Sequence, residues 1–154
     1  MPRRRGDPQP SAPCAVLLAS VGRPFSAASV QRAAELAGGD RVGVLTIARI
    51  YGSSFGLPNP GLMPNKKERQ EQLDIVARAV GELEGFDLPV DGQVAATRKA
   101  EKTIARVAAL RQARHVVMDA TTGTGWRRLI EGDPARDLRR RLGGGVSVEA
   151  VGSA

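Results

Sequence analysis

Apolar and polar positions along this chain alternate between two periods. Cys14 to Ala19 is a short uninterrupted apolar run, the pattern of a strand buried on both faces, and Gly22 and Pro24 close it. Ser26 can cap a helix running to about Ala37, in which Ala27, Val30, Ala33, Ala34 and Ala37 keep helical spacing. Gly38-Gly39-Asp40 stops that helix, and Arg41 to Ile47 brings Val42, Val44, Leu45 and Ile47 as a second strand. Strand, helix and strand within so short a stretch make a βαβ unit, which places parallel strands beneath a crossover helix.

Residues 49–64 break the pattern with Gly52, Gly56, Gly61, Pro58, Pro60 and Pro64, and a long loop is predicted there, a lid or a mobile excursion. Asn65 followed by Glu68 has the spacing of a capping box. Leu73, Val76, Val80 and Leu83 then predict one inward stripe of a long amphipathic helix. A third strand is expected over Val90 to Ala96. A helix follows near Lys99 to Ala113, with Ala100, Ile104, Val107 and Ala108 inward and Lys99, Lys102, Arg106 and Arg111 on its polar face. His115 to Met118 reads as the fourth strand, Asp119 to Gly125 as a polar loop, and Trp126 to Ile130 as a helical turn. Asp133-Pro134 has the form of a helix start, aspartate at the cap and proline in the first turn. Ala135, Leu138 and Leu142 face inward in that helix, Gly143-Gly144-Gly145 breaks it, and Val146, Val148 and Val151 suggest a last strand.

Strands alternating with helices in this way predict an α/β fold, a three-layer sandwich over a five-stranded, mostly parallel sheet. Such sheets bind ligands beyond the strand C-termini, where strand order reverses. The first and fourth strands are the expected central pair, so the candidate site lies between Ser20-Val21-Gly22-Arg23 and the loop Asp119 to Gly125.

Composition narrows the functional classes. With 154 residues the chain suits one domain. Residues 1–13 hold Pro2, Pro8, Pro10 and Pro13 with Arg3, Arg4 and Arg5, and read as a disordered basic tail before a domain over 14–154. The formal charge is +7, yet Phe25, Tyr51, Phe55, Phe86 and Trp126 are the only aromatics, too few for the stacking platforms of single-strand binders. No specific nucleic-acid partner is expected. Apolar runs are too short to span a bilayer and no signal-peptide pattern opens the chain, so a cytoplasmic protein without membrane association is expected. A lone Cys14 and a lone His115 remove disulfide frameworks and Cys- or His-rich metal sites, and His115 reads as a satisfied structural histidine.

Catalytic constellations are thin. Ser20 has no obvious base, no Gly-x-Ser-x-Gly elbow is present, and Asp119 is a single carboxylate at a strand end. Asp87 and Asp91 fall in loop positions at the opposite end of the sheet. The glycine-threonine loop over 119–125 lacks the Gly-Lys-Ser/Thr of a Walker motif, and the first strand is followed by Gly22 without a glycine series. Its backbone N–H groups and Thr121, Thr122 and Thr124 can still cradle an anion, the alternative being a plain strand-to-helix turn.

Over about residues 14–151 the chain resembles the universal stress proteins with a UspA-type domain. The resemblance rests on Val16-Leu17-Leu18-Ala19-Ser20-Val21-Gly22 before an alanine-rich helix, and on Val42-Gly43-Val44-Leu45-Thr46-Ile47. It is most specific in Ala113-Arg114-His115-Val116-Val117-Met118 followed by Gly125-Trp126-Arg127-Arg128-Leu129-Ile130-Glu131-Gly132-Asp133-Pro134-Ala135. It implies an adenine nucleotide alpha hydrolase-like sheet in the order 3-2-1-4-5 and homodimers, often formed through the last strand. Some members hold ATP through Gly-x2-Gly-x9-Gly-Ser/Thr. Carried onto this chain, the first two glycines fall on Asp119 and Thr122, the third matches at Gly132, and the hydroxyl residue falls on Asp133. The aspartate usual after the first strand falls on Val21. Asp133 would use the helix N-terminal N–H groups for its own cap, and with Asp119 it adds negative charge where a phosphate wants none. The expectation is a non-enzymatic stress-response accessory protein with no cofactor, acting through a homodimer and an unknown protein partner. The dimer is expected to form through 146–151. The alternative is an ATP- or AMP-binding regulator using Val21, Gly22, Asp119, Thr122, Gly123, Gly125, Gly132 and Asp133, with Gly123 and Gly125 supplying a shifted loop.

Overall fold

A computed structural model describes residues 12–49, 66–119 and 134–151. The proposed tail up to residue 11, the loop over 50–65 with Asn65, and residues 120–133 lie outside them. So do the expected helical turn at 126–130 and the Asp133 cap. The elements are β1 (Val16–Ser20), α1 (Ala27–Ala37), β2 (Val42–Arg49), α2 (Lys66–Glu84), β3 (Val90–Thr97), α3 (Ala100–Leu110), β4 (His115–Asp119), α4 (Pro134–Leu142) and β5 (Ser147–Val151). A short 3-10 turn, Gly143–Gly145, joins α4 to β5.

All pairings are parallel, in the order β3-β2-β1-β4-β5. β1 is central, with Leu18 opposite Val44 on one side and Val117 on the other. Because helices cover both faces, its residues alternate between two cores and read as one apolar run. Leu17 and Ala19 join Leu45, Ile47, Ile104, Val116 and Leu138 beneath α3 and α4. Val16 and Leu18 join Val30, Ala33, Val44, Val76 and Leu83 beneath α1 and α2. Ser26 caps α1 as expected, its hydroxyl accepting from the Ser29 N–H at 3.1 Å, and Gly38 ends the helix in the left-handed region at φ 56°.

Five expectations are corrected. In α2, Val76, Val80 and Leu83 pack inward as expected, but Leu73 is 44% exposed and Gln72 and Ala79 are buried instead. The helix is rotated so that the amide of Gln72 reaches back under the turn after β1. Arg111 is not on a polar helix face but only 2% exposed, and Asp91 lies within β3 rather than in a loop. The two form a bidentate pair at 2.7 and 2.5 Å, the Arg111 Nε also donates to the Ala12 carbonyl at 2.8 Å, and Arg41 reaches Asp91 at 3.3 Å. Their space requires glycine at Gly43, where an added Cβ would overlap the Arg111 guanidinium. The sequence leaves the valines of 146–151 to be buried by a second copy and Glu149 to water or a partner; instead Val148 is buried in the domain's own core with Leu138, and Glu149 faces α1, where Arg32 holds it bidentately at 2.9 Å. Finally, His115 is not a fully satisfied histidine, for its buried Nδ1 has no hydrogen-bond partner.

Candidate functional site

Strand order reverses between β1 and β4, so the C-terminal ends of these two strands open the crevice in which sheets of this class hold ligands. Three elements converge there. The turn after β1 is closed by Ser20, whose hydroxyl donates to the Arg23 carbonyl at 2.6 Å and accepts from the Arg23 N–H at 3.1 Å. Gly22 takes φ +75°, which a residue without Cβ adopts freely, and its carbonyl accepts from Gln72 Nε2 at 3.5 Å. Val21 turns its side chain toward the core under α3 and α4.

Asp119 ends β4 and reaches the first turn of α1. Its Oδ1 accepts from the Ser26 hydroxyl at 2.6 Å and from the Ser29 hydroxyl, and its Oδ2 accepts from the Ser26 N–H at 3.0 Å. Ser29 is fully buried. An anion at a helix N-terminus is stabilised by the unpaired N–H groups and the helix dipole. Here the chain supplies that anion from its own fourth strand. Asp119 is therefore a structural tie between β4 and α1, with its acceptor oxygens already engaged.

The crevice thus joins Val21, Gly22 and Asp119 of the expected site residues. Thr122, Gly123, Gly125, Gly132 and Asp133 lie outside the described residues. Sequence reasoning missed Ser29, Gln72 and Thr46. Ser29 and Gln72 each occupy an inward position of a helix, Ser29 one turn before Ala33 and Gln72 one turn before Val76, and a polar residue on an inward stripe was the available signal. Thr46 pairs with Ser20 in the sheet, and its buried Oγ1, like Gln72 Oε1, has no hydrogen-bond partner. Two unsatisfied polar atoms beneath the Gly22 turn are costly unless a ligand or water meets them.

The remaining titratable groups lie elsewhere. Cys14, Asp91 and Arg111 cluster at the N-terminal ends of the strands, far from the crevice, and burial pushes the Cys14 thiol up from its ordinary value. Among the described residues, no group of three or more His, Cys, Asp or Glu side chains could hold a metal ion, and no helix is long and apolar enough to cross a membrane.

No family model and no curated protein matches the chain. Solved structures do. UspA from Lactobacillus plantarum superposes with a TM-score of 0.66 at 13% identity, covering 91% of this chain and 99% of that one. A universal stress protein in complex with cAMP gives 0.64 at 16%, covering 92% and 99%. The universal stress protein from Archaeoglobus fulgidus in complex with dAMP gives 0.57 at 18%, covering 89% and 96%. The chain therefore has the universal stress protein fold, in the strand order that the sequence resemblance implies.

Proposed function

We propose that the chain is a non-enzymatic accessory or regulatory protein of the universal stress protein type, acting through protein contacts without a nucleotide at the standard place in the fold. The observation that carries this reading is the engagement of Asp119. A phosphate needs free N–H groups and no competing anion. At the β1–β4 crevice the first turn of α1 is already matched to a carboxylate, and Val21 places no polar group toward a ligand. The engaged Asp119 and the apolar Val21 both support a crevice without a nucleotide. Isothermal titration of the full chain with ATP and magnesium, and with AMP, tests it. No saturable binding is expected below about 100 μM, which corresponds to less than about 5.5 kcal/mol. Low-micromolar binding, or nucleotide retained on purification, would overturn it.

One observation favours a second reading, an ATP- or AMP-binding regulator. Gln72 Oε1 and Thr46 Oγ1 are buried without partners near Gly22, and two of the solved structures with this fold are complexes with cAMP and dAMP. In that reading Val21, Gly22 and the segment with Asp119, Thr122, Gly123, Gly125, Gly132 and Asp133 would hold the ligand. The same titration separates the two.

Homodimerisation through β5 belongs to the first reading. β5 is a sheet edge, but Arg139 donates from Nε and Nη2 to the outward carbonyl of Val148 at 3.1 and 2.9 Å. A second copy would therefore pair at Ala150 and displace Arg139 from Val148. Sedimentation at micromolar concentration is expected to show twice the chain mass, and a monomer at high concentration would remove the dimer.

A further inference from the structure

The two edges of the sheet are treated differently. At β5 the outward carbonyl of Val148 is covered by Arg139. Among the described residues β3 has no such cover. In the parallel β2–β3 ladder the Val42 N–H donates to the Pro89 carbonyl, and Val42 is level with Val90. Ladder bonds in a parallel pair alternate along the strand, so Asp91, Gln93, Ala95 and Thr97 direct their N–H and C=O groups to β2. Gly92, Val94 and Ala96 direct theirs outward, where no neighbouring strand meets them among the described residues. Among the described residues they form an unpaired backbone edge about three strand positions long, the kind that accepts an added strand.

A cleft of about 730 Å³ opens at the C-terminal half of this strand, lined by residues 94–97. Its rim carries Arg69 from α2, Arg98 and Lys99 after β3, and Lys102 and Arg106 one turn apart on α3. All five are exposed, and none takes part in the ion pairs formed among the described residues. Glu101, in the first turn of α3, does not line the cleft. Among the described residues no aromatic side chain lines it, and those residues offer bases nothing to stack on. What it offers is backbone donors and acceptors at strand spacing, flanked by five cations without an ion-pair partner among the described residues.

We propose that this cleft binds an acidic peptide segment of a partner protein in extended form. The segment adds as a sixth strand along Gly92–Ala96, with its carboxylates against the rim formed by Arg69, Arg98, Lys99, Lys102 and Arg106. Backbone bonds to Val94 and Ala96 fix its register, and the cations select its charge. Free edge length and strand rise match a segment of about five residues. The assignment is independent of the reading of the β1–β4 crevice, which lies at a different place in the sheet.

Fluorescence anisotropy of the full chain with a labelled, capped peptide of alternating valine and glutamate tests it. Saturable binding is expected. It should weaken at least about tenfold when alternate peptide nitrogens are methylated, and again when salt is raised from about 50 to 500 mM. The double substitution Lys102→Glu with Arg106→Glu should also weaken it at least about tenfold. Both side chains are exposed, so an unchanged circular dichroism melt is expected for that variant. Ala96→Pro is the second variant, since proline on an edge removes one outward N–H without touching the ladder to β2, and it should also weaken binding. Three results would each overturn the proposal: no saturable binding of the acidic peptide, binding indifferent to N-methylation, or tighter binding of an oligouridylate or inorganic polyphosphate than of the peptide. The first would leave the five cations as guards against edge-to-edge aggregation.

Discussion

Asp119→Ala removes the carboxylate that ties β4 to α1, and its cost follows from the donors it strands. Three hydrogen bonds end on Asp119: from the Ser26 N–H, the Ser26 hydroxyl and the Ser29 hydroxyl. Bonds to a charged acceptor are worth about 1.5–3 kcal/mol each when isolated. These three are not independent, because the two hydroxyls share Oδ1 and still meet each other at 3.2 Å. The Ser26 N–H loses its acceptor outright, and Ser29, fully buried, keeps only its partner Ser26. The helix also loses a negative charge at its N-terminus, worth about 0.3–1 kcal/mol. Together these predict a loss of about 2–4 kcal/mol. For a chain of this size that lowers Tm by roughly 4–16 °C. Urea unfolding followed by circular dichroism measures it, with the m-value checked for constancy. Asp119→Asn should lose about half as much, since its one remaining carbonyl oxygen can accept while its NH2 faces a donor. A double-mutant cycle with Ser29→Ala should give a coupling above about 0.5 kcal/mol. If Asp119→Ala were within about 0.5 kcal/mol of the parent, the carboxylate would not be a structural tie, and the reading of the crevice would lose its main support.

Three further outcomes are expected. Arg111→Met leaves the half-buried Asp91 carboxylate beside Arg41 alone and should destabilise by about 2–4 kcal/mol in urea, whereas an effect below about 1 kcal/mol would mean that solvent screens the pair. Arg32 holds the Glu149 carboxyl below the ordinary glutamate value, so this pair supports the fold above that value and the support disappears as pH falls through the lowered one. Urea midpoints between pH 3 and 6 should therefore fall less steeply for Glu149→Gln than for the parent, and identical slopes would contradict the assignment. Val148→Lys should unfold the domain rather than merely separate copies of it, because Val148 is in the core with Leu138, and a folded monomeric variant would contradict that placement.

Local pattern determined most of the architecture. A buried parallel strand reads as an apolar run and an amphipathic helix as a stripe, and both depend on spacing within a few residues. Strands at Val16–Ser20, Val42–Arg49, Val90–Thr97 and His115–Asp119, and the Ser26 cap, were legible for that reason. The strand order was not a matter of period; it came with the family resemblance and matches the sheet. What only the tertiary structure decided is the fate of the polar residues, because their partners are distant in the chain. Asp119 stands 93 residues from Ser26, so no local rule distinguishes a ligand-facing carboxylate from one that caps another element. Arg111, at the end of α3, looked like one more surface cation until Asp91 met it beneath Gly43. A helix turns about 100° per residue, so placing the first member of the α2 stripe one position off exchanges Leu73 for Gln72 and changes which side chain reaches the crevice. Burial patterns are local, whereas electrostatic pairing is a property of the assembled fold. The charge of Asp119, Arg111 and Arg139 could be read from the sequence, but its destination could not.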